Sequence, residues 1–318
     1  MPDLEFGRLS YGSANVGNLY RALTDDEAWI LLETAWDCGI RYFDTAPHYG
    51  LGLAERRLGA FLATKPRAEF TLSTKVGRLL CPNPQGGGQL DDENNFAVPA
   101  DLRRVWDFST DGVRRSLEHS LERLGIDSVD VLYLHDPEEH DLDLSLGEGI
   151  PALSRLREEG LVSAIGVGSK STEALLAGVR TGALDLLMVA GRFTLVEQPV
   201  LDEVIPNCRA RSVDVVNAAV FNSGLLASEP PSADTRYEYG TVPDDVLARA
   251  QSIAIVCASF GVEMPAAALQ YSLREPVVRT VVVGAATPEQ IRQNTARMRA
   301  KIPEELWTAL REERLIRA

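Results

Sequence analysis

Eight short apolar runs, each followed by a helical pattern, are the feature of this 318-residue chain that most constrains its fold. A parallel return to the neighbouring strand needs a long crossover, so such alternation predicts a parallel sheet with helices over it. Eight units in a chain of this length favour an α/β fold of the closed (β/α)8 (TIM) barrel type over an open doubly wound sheet. The predicted strands cover residues 9–12, 40–44, 70–75, 129–134, 162–167, 184–189, 213–217 and 280–283.

Helix boundaries are marked by capping residues. Thr24 with Glu27 three positions later is a capping box, and Gly39 is a typical C-terminal stop. No linker or abrupt change in composition divides the chain, so we expect one domain, residues 1–318. The predicted helices cover residues 25–38, 53–64, 109–124, 148–159, 171–179, 199–208, 244–260, 265–274, 288–300 and 303–316.

Charge and cysteine usage limit the partners of the chain. A formal net charge of −14 argues against nucleic acid and anionic membranes, both of which select basic surfaces. No apolar run approaches the roughly 20 residues of a membrane span. The four cysteines are scattered without a CxxC pair, which favours free thiols in a reducing compartment. We therefore expect a cytoplasmic protein that binds neither nucleic acid nor membrane.

Three of the apolar runs end on an ionisable residue. Asp44 ends the second run, Lys75 the third and His135 the fourth, and Tyr49 follows Asp44 by five positions. If these runs are neighbouring parallel strands, their last residues emerge together at the C-terminal rim, where barrel enzymes build their active sites. The sequence thus predicts four adjacent functional side chains.

These four residue types suit proton transfer at a carbonyl oxygen. Tyrosine is a weak acid with a free pKa of about 10, and an adjacent ammonium such as that of Lys75 is expected to lower it. Asp44 can hold the ammonium charged, and His135 can donate a hydrogen bond to the substrate oxygen. Taken singly, each residue also fits an ordinary role in a turn, in solvent or in loop packing. Their joint occurrence favours catalysis.

Other chemistries have weaker signals. The chain has no GxSxG elbow, GxGxxG fingerprint or GxxxxGK[ST] loop, which disfavours serine hydrolases and the Rossmann and P-loop nucleotide folds. His48 is near the predicted site but has no HxH or HxxxH partner, so we expect no metal. His48 is instead a candidate for the substrate pocket.

A segment of more than thirty residues follows Lys75 and interrupts the alternation. We call residues 76–108 the excursion; it includes the turn-rich stretch 81–88, CPNPQGGG, and long loops of this kind are usually functional or disordered. It should overhang the predicted active rim. Trp106 is a candidate for the substrate pocket, and the alternative is that it anchors the excursion to the barrel, as Phe96 and Phe108 also could.

Several motifs resemble those of the aldo-keto reductases. They are FDTAPHYG at 43–50, STK at 73–75, LERLG at 121–125, LYLH at 132–135 and GAATPEQIRQN at 284–294. The resemblance covers nearly the whole chain. It implies a (β/α)8 barrel with a nicotinamide cofactor across the rim, and it places the family's catalytic tetrad on Asp44, Tyr49, Lys75 and His135.

Within this family the chain is most similar to the aldose 1-dehydrogenase branch, through residues 49–55, 190–195 and 216–224. This resemblance implies oxidation of the C1 hemiacetal hydroxyl of an L-fucose, L-galactose or D-arabinose type sugar to a lactone. Alternatives are a pyridoxal 4-dehydrogenase, an NADPH-dependent aldehyde or ketone reductase, and a cofactor-bound regulatory subunit without turnover.

The resemblance also indicates cofactor contacts, with departures. Gly168 and Ser169 stand where many family members hold the nicotinamide amide with Ser-Asn, and Ala218 replaces a stacking tyrosine. Gln290 stands where the family has an arginine for the 2′-phosphate of NADP. An amide lacks the charged fork that phosphate prefers, so NAD is favoured over NADP.

The pyrophosphate is expected at backbone amides of Ser223, Gly224 and Leu226 and at the helix N-terminus after Gly284. Thr287 is expected to cap that helix. Asn294 either reaches the adenine or is a solvated helix residue.

Overall fold

The computed structural model describes residues 4–238 and 240–317, and within these ranges eight parallel strands close into a barrel. Each strand pairs with the next along the chain, and the last pairs with the first. This confirms the predicted (β/α)8 barrel. The strands are β1 Leu9–Gly12, β2 Tyr42–Asp44, β3 Thr71–Val76, β4 Val129–His135, β5 Val162–Ser169, β6 Leu186–Ala190, β7 Asp214–Ala218 and β8 Val278–Val283.

Strand register brings the ionisable residues to one rim. Asp44 pairs with Ser73, and Lys75 lies two residues further along β3. On β4, His135 pairs with Gly168 of β5. Because the three strands are parallel neighbours, their C-terminal ends open on the same face of the barrel.

The helices pack around this barrel, and the first of them begins as predicted. The Thr24 hydroxyl accepts from the Glu27 amide at 3.1 Å, and the Glu27 carboxylate accepts from the Thr24 amide at 2.7 Å. The capping box is therefore confirmed. The α-helices are α1 Asp25–Asp37, α2 Leu53–Leu62, α3 Thr110–Leu124, α4 Leu142–Glu158, α5 Thr172–Arg180, α6 Val204–Arg211, α7 Asp244–Ser259, α8 Met264–Tyr271, α9 Pro288–Arg299 and α10 Glu304–Glu312.

Two helix predictions depart most clearly from the structure, and two others, 265–274 and 303–316, end three and four residues too late. Helix α4 begins six residues before the predicted start, since the Asp141 side chain caps it and Pro151 is accommodated inside it. The buried face of α4, with Leu146 and Ile150, packs on the barrel core, and this packing outweighs the local helix-breaking signals. The predicted helix 199–208 is a 3₁₀ turn, Pro199–Leu201, followed by α6.

The excursion is more ordered than its turn-rich sequence predicts. Strand Arg78–Pro82 pairs antiparallel with Leu102–Trp106, and Leu90–Asp91 pairs with Phe96–Pro99. Arg104 joins the two small sheets through a bidentate contact with Asp91 at 2.9 and 2.6 Å. The excursion therefore forms a rigid wall beside the rim.

The interior of the barrel combines apolar side chains with two buried tyrosines, Tyr42 and Tyr133. The four cysteines are free thiols. Among the described residues no single helix is long and apolar enough to cross a membrane. Two consecutive helical segments, Asp244–Ser259 and Met264–Arg274, reach that length and composition only together, and they are bent by 104° relative to each other.

Candidate active site

A cavity of about 490 Å³ opens at the C-terminal rim of the barrel. At one end it is lined by the four residues that sequence reasoning singled out, and at the other by the start of α9. The structure thus brings together Asp44, Tyr49, Lys75 and His135 in one wall.

The Lys75 ammonium is the centre of this wall. It is 2% exposed, and it donates to Asp44 Oδ2 at 2.6 Å, to the Thr45 carbonyl at 2.9 Å and to Tyr49 Oη at 3.2 Å. These three bonds use all three of its N–H donors. Burial disfavours the ammonium, but the Asp44 and Tyr49 oxygens outweigh it and raise the pKa of Lys75. Lys75 therefore stays charged at neutral pH.

A chain of buried hydroxyls supports Asp44 from inside the barrel. The Ser73 hydroxyl donates to Asp44 Oδ1 at 2.7 Å, and Tyr42 donates to Ser73 at 2.9 Å. The Tyr133 hydroxyl lies 3.3 Å from that of Tyr42. Both Asp44 oxygens are thus held, one by Ser73 and one by Lys75. Sequence reasoning missed this chain, because its hydroxyls meet only when the strands pair.

The pKa of Tyr49 differs from the sequence-based expectation. Burial of the phenol raises its pKa above 10, and the Lys75 ammonium opposes this rise without reversing it. The predicted net lowering is wrong for this structure because the desolvation of the phenolate is the larger effect. Lys75 nonetheless makes the phenolate easier to form than burial alone would allow.

Both histidines of this region are neutral. Burial first, and then the Arg78 guanidinium, hold the pKa of His135 and that of His48 well below 6.5. Arg78 Nη1 lies 3.1 Å from His48 Nδ1. Since arginine can only donate, His48 Nδ1 is the acceptor and its ring proton is on Nε2. A neutral His135 keeps one N–H for a ligand oxygen.

A second charged pair, Arg78 with Asp136, lies next to His135. Arg78 Nη2 donates to Asp136 Oδ2, and the guanidinium stacks on the Trp106 ring at 4.3 Å from its centroid. Asp136 lines the cavity, with its Oδ2 3.5 Å from His135 Nε2. Asp136 follows His135 directly in the sequence, and this position could have identified it as a candidate site residue. Arg78 gave no such signal.

The two residues predicted for the substrate pocket, His48 and Trp106, do not line the cavity. Trp106 stacks between Arg78 and Phe108 and does not line the cavity. This matches the alternative reading, in which the aromatic residue anchors the excursion. His48 also lies outside the cavity wall, where it bonds to Arg78. Both therefore contact the residues that form the wall.

Four of the predicted cofactor residues line the cavity. Gly284, Gln290 and Asn294 do so at its far end, and Ser169 does so at the end of β5, beside the tetrad. Asn294 is only 7% exposed, which excludes the solvated alternative. Gln290 Oε1 accepts from the Ala286 amide at 2.7 Å, so the side chain folds back on its own helix start.

The remaining predicted cofactor residues divide between cavity and core. Ser223 and Gly224 line the cavity, whereas Leu226 is buried in the core and its amide donates to the Phe221 carbonyl at 3.1 Å. The expectation that the Leu226 amide faces a pyrophosphate is therefore wrong. Thr287 caps α9 as predicted, accepting from the Gln290 amide at 3.2 Å, but it does not line the cavity.

The barrel and this rim constellation define a class of oxidoreductase, and comparison with known proteins identifies the family. Residues 8–314 match the model of the Aldo/keto reductase family, so the chain belongs to that family. It is an oxidoreductase enzyme, as predicted. The family uses nicotinamide cofactors, which agrees with a cavity that runs from the tetrad to a helix N-terminus.

Two relatives within the family are similar to this chain over nearly its whole length. A D-threo-aldose 1-dehydrogenase of a Pseudomonas species is 57% identical over 97% of this chain and 94% of its own length. A pyridoxal 4-dehydrogenase of Microbacterium luteolum is 37% identical over 97% of this chain and 94% of its own length. The chain therefore resembles dehydrogenases of small molecules along its whole length.

Solved structures agree with the fold. An aldo-keto reductase from Bacillus halodurans superposes with a TM-score of 0.79 at 23% identity, covering 99% of this chain and 94% of the other. A glycerol dehydrogenase from Gluconobacter oxydans gives a TM-score of 0.76 at 22% identity, covering 98% and 92%. At these identities the likeness concerns the fold alone.

Proposed function

We propose that this protein is an NAD-dependent aldose 1-dehydrogenase that oxidises the C1 hemiacetal hydroxyl of a sugar to a lactone. The single observation that carries the proposal is the contact of the Tyr49 hydroxyl with the charged Lys75 ammonium at 3.2 Å in the cavity wall. The 57% identity to a D-threo-aldose 1-dehydrogenase supports the substrate class.

Each member of the wall has a role in this reaction. Tyr49 accepts the proton of the hemiacetal hydroxyl, and Lys75 stabilises the phenolate that does so. Asp44 keeps Lys75 charged and in place through its 2.6 Å contact. The neutral imidazole of His135 donates a hydrogen bond to the reacting oxygen and orients it. A bound nicotinamide would supply the acceptor for the hydride that leaves C1.

The residues along the cavity fit a nicotinamide cofactor. Gly168 lines the cavity beside the tetrad without a side chain, and a Cβ there would be in ordinary contact with that of Met188 at 3.5 Å. Ala190 and Ala218 also line the cavity, and their small side chains leave room for a flat ring. The Ser169 hydroxyl donates to Glu138 and accepts from the Ser171 amide at 2.7 Å, so its one remaining lone pair can accept from a carboxamide. These residues would hold the ring.

The charges at the far end of the cavity favour NAD over NADP. Arg297 lines this end but is paired with Glu263 at 2.9 Å. Gln290 is neutral and bonded to the Ala286 amide. Arg292 faces Glu289 at 3.9 Å and is largely exposed. A 2′-phosphate would therefore meet no unpaired cation among these described side chains.

A second candidate is the oxidation of pyridoxal, whose cyclic hemiacetal presents the same chemistry. The 37% identity to a pyridoxal 4-dehydrogenase favours it. Reduction of aldehydes with NADPH is a third candidate, supported only by family membership.

A substrate and cofactor matrix tests these proposals. L-fucose, L-galactose, D-arabinose and pyridoxal are each mixed with NAD or NADP, and reduced cofactor is followed by absorbance. We expect turnover of at least one sugar with NAD, and formation of a lactone as the product. Turnover of pyridoxal alone would replace the sugar assignment, and turnover only with NADP would overturn the cofactor assignment.

A further inference from the structure

We propose that Asp136 selects substrates that carry a hydroxyl on C2, the carbon next to the reacting C1, by accepting a hydrogen bond from that hydroxyl. This inference rests on the proposed function, since it assumes that a sugar is the substrate. It assigns a specificity-determining role to a residue outside the tetrad.

The geometry gives Asp136 one free acceptor. Its Oδ2 accepts from Arg78, whereas its Oδ1 makes no hydrogen bond to any described residue. Asp136 lines the cavity at its tetrad end. A carboxylate that lines a cavity and has one oxygen without a partner is suited to accept from a ligand hydroxyl, because an unmet charged acceptor costs more than a neutral one.

The position of Asp136 determines which hydroxyl it can reach. Its Oδ2 lies 3.5 Å from His135 Nε2, which places the free Oδ1 of the same carboxylate in the neighbourhood of His135, the donor proposed for the C1 oxygen. The two oxygens of a vicinal diol lie about one hydrogen bond apart. A sugar whose C1 oxygen contacts His135 therefore brings its C2 hydroxyl next to Asp136.

Asp136 is held rigidly for this task. Its backbone has a positive φ of 46°, which aspartate tolerates better than most residues, and its amide donates to the Gly168 carbonyl at 2.9 Å. Arg78 is itself fixed by Trp106 and His48. Arg78 is thus a positioning residue, and Asp136 contacts the substrate.

The test compares a sugar with its 2-deoxy analogue, using whichever of L-fucose, L-galactose and D-arabinose the wild type oxidises best with NAD. The wild type should prefer the 2-hydroxy sugar by about 10- to 100-fold in kcat/KM, the range of a hydrogen bond to a charged acceptor. A C2 hydroxyl withdraws electrons and slows hydride loss, so a preference in this direction reflects binding.

Asp136→Asn is the informative variant, because the amide oxygen can keep the contact with Arg78 while the C2 hydroxyl loses its charged acceptor and is left with a weaker bond to a neutral group. The preference should fall by about tenfold or more through a higher KM for the 2-hydroxy sugar. Asp143→Asn removes the same charge at an exposed position of α4 and is the control, so this variant should keep the wild-type preference for the 2-hydroxy sugar.

The outcomes separate the two proposals. If the wild type oxidises both sugars equally well, the role of Asp136 is refuted while the sugar dehydrogenase stands. If Asp136→Asn lowers kcat/KM equally for the 2-hydroxy and the 2-deoxy sugar, the proposed role of Asp136 is also refuted. Absence of turnover with every sugar refutes both. The wild-type comparison alone decides the matter if the variant does not fold.

Discussion

Ser73 shows how a single buried hydroxyl can determine the geometry of the tetrad. It donates to Asp44 Oδ1, and Asp44 uses its other oxygen to hold Lys75. Without this bond the carboxylate can rotate, and Lys75 loses part of its alignment with Tyr49. Ser73 is thus a positioning residue that contacts neither substrate nor cofactor.

We expect Ser73→Ala to lower kcat about tenfold, because a lost hydrogen bond to a charged group costs about 1.5–3 kcal/mol, of which a part appears in the barrier. KM for the sugar should be unchanged. Ser73→Thr keeps the hydroxyl and should restore most of kcat. An equal rise of KM and fall of kcat, without rescue by threonine, would indicate a general packing defect instead.

The raised pKa of Tyr49 predicts the pH dependence of both directions. Oxidation needs the phenolate, which is the minor form below its pKa, so kcat should rise between pH 6 and 9 by up to about tenfold per unit. Reduction needs the phenol, which stays protonated in this range, so its kcat should be nearly flat. Initial rates at saturating substrate check this. A rate of oxidation that stays flat between pH 7 and 9 would contradict this prediction. A step near pH 6 would instead reflect Asp136, since burial raises the pKa of that carboxyl to about 6.

At the scale of elements, the helix α9 and the excursion show what the pattern of a sequence can and cannot predict. The cap Thr287 and the barrel strands follow from local signals, since capping and apolar periodicity depend on near neighbours. The Leu226 amide and the Trp106 ring could not be placed from the sequence, because the directions of both groups depend on tertiary packing. The pair of Arg78 with Asp136 forms only after the excursion has folded against β4.

Helix α9 also carries the cofactor prediction. Gln290→Arg removes the bond to the Ala286 amide and adds a guanidinium that can pair with a 2′-phosphate bidentately. We expect the ratio of kcat/KM for NAD over NADP to fall about tenfold or more. Ala296→Arg, at an exposed position of the same helix that does not line the cavity, is the matched control for added charge. A ratio unchanged in Gln290→Arg would contradict the proposed role of Gln290.

At the scale of the whole molecule, the closed barrel and the position of its active rim were predictable. Eight alternating units specify the topology, and the parallel direction then places every strand end on one face. The location of Asp44, Lys75 and His135 at three successive strand ends follows from this. That residues 1–318 form one domain stays a prediction.

Cofactor binding should stabilise the entire barrel by mass action. At 100 times its Kd, a ligand that binds only the folded state adds about 2.7 kcal/mol, which raises Tm by several degrees in a protein of this size. We expect NAD to raise Tm more than NADP at equal concentration in differential scanning fluorimetry. A larger shift with NADP would contradict the charge argument at α9.

The proposed mechanism requires Tyr49 to take the substrate proton beside Lys75, and Tyr49→Phe tests this most directly. Phenylalanine keeps the ring and removes the hydroxyl that lies 3.2 Å from Lys75 Nζ. NAD binding, followed by fluorescence quenching, should be unchanged, while sugar oxidation falls by about 10²–10⁴-fold, the usual contribution of a positioned acid or base. Wild-type rates of sugar oxidation in Tyr49→Phe would contradict the proposed mechanism.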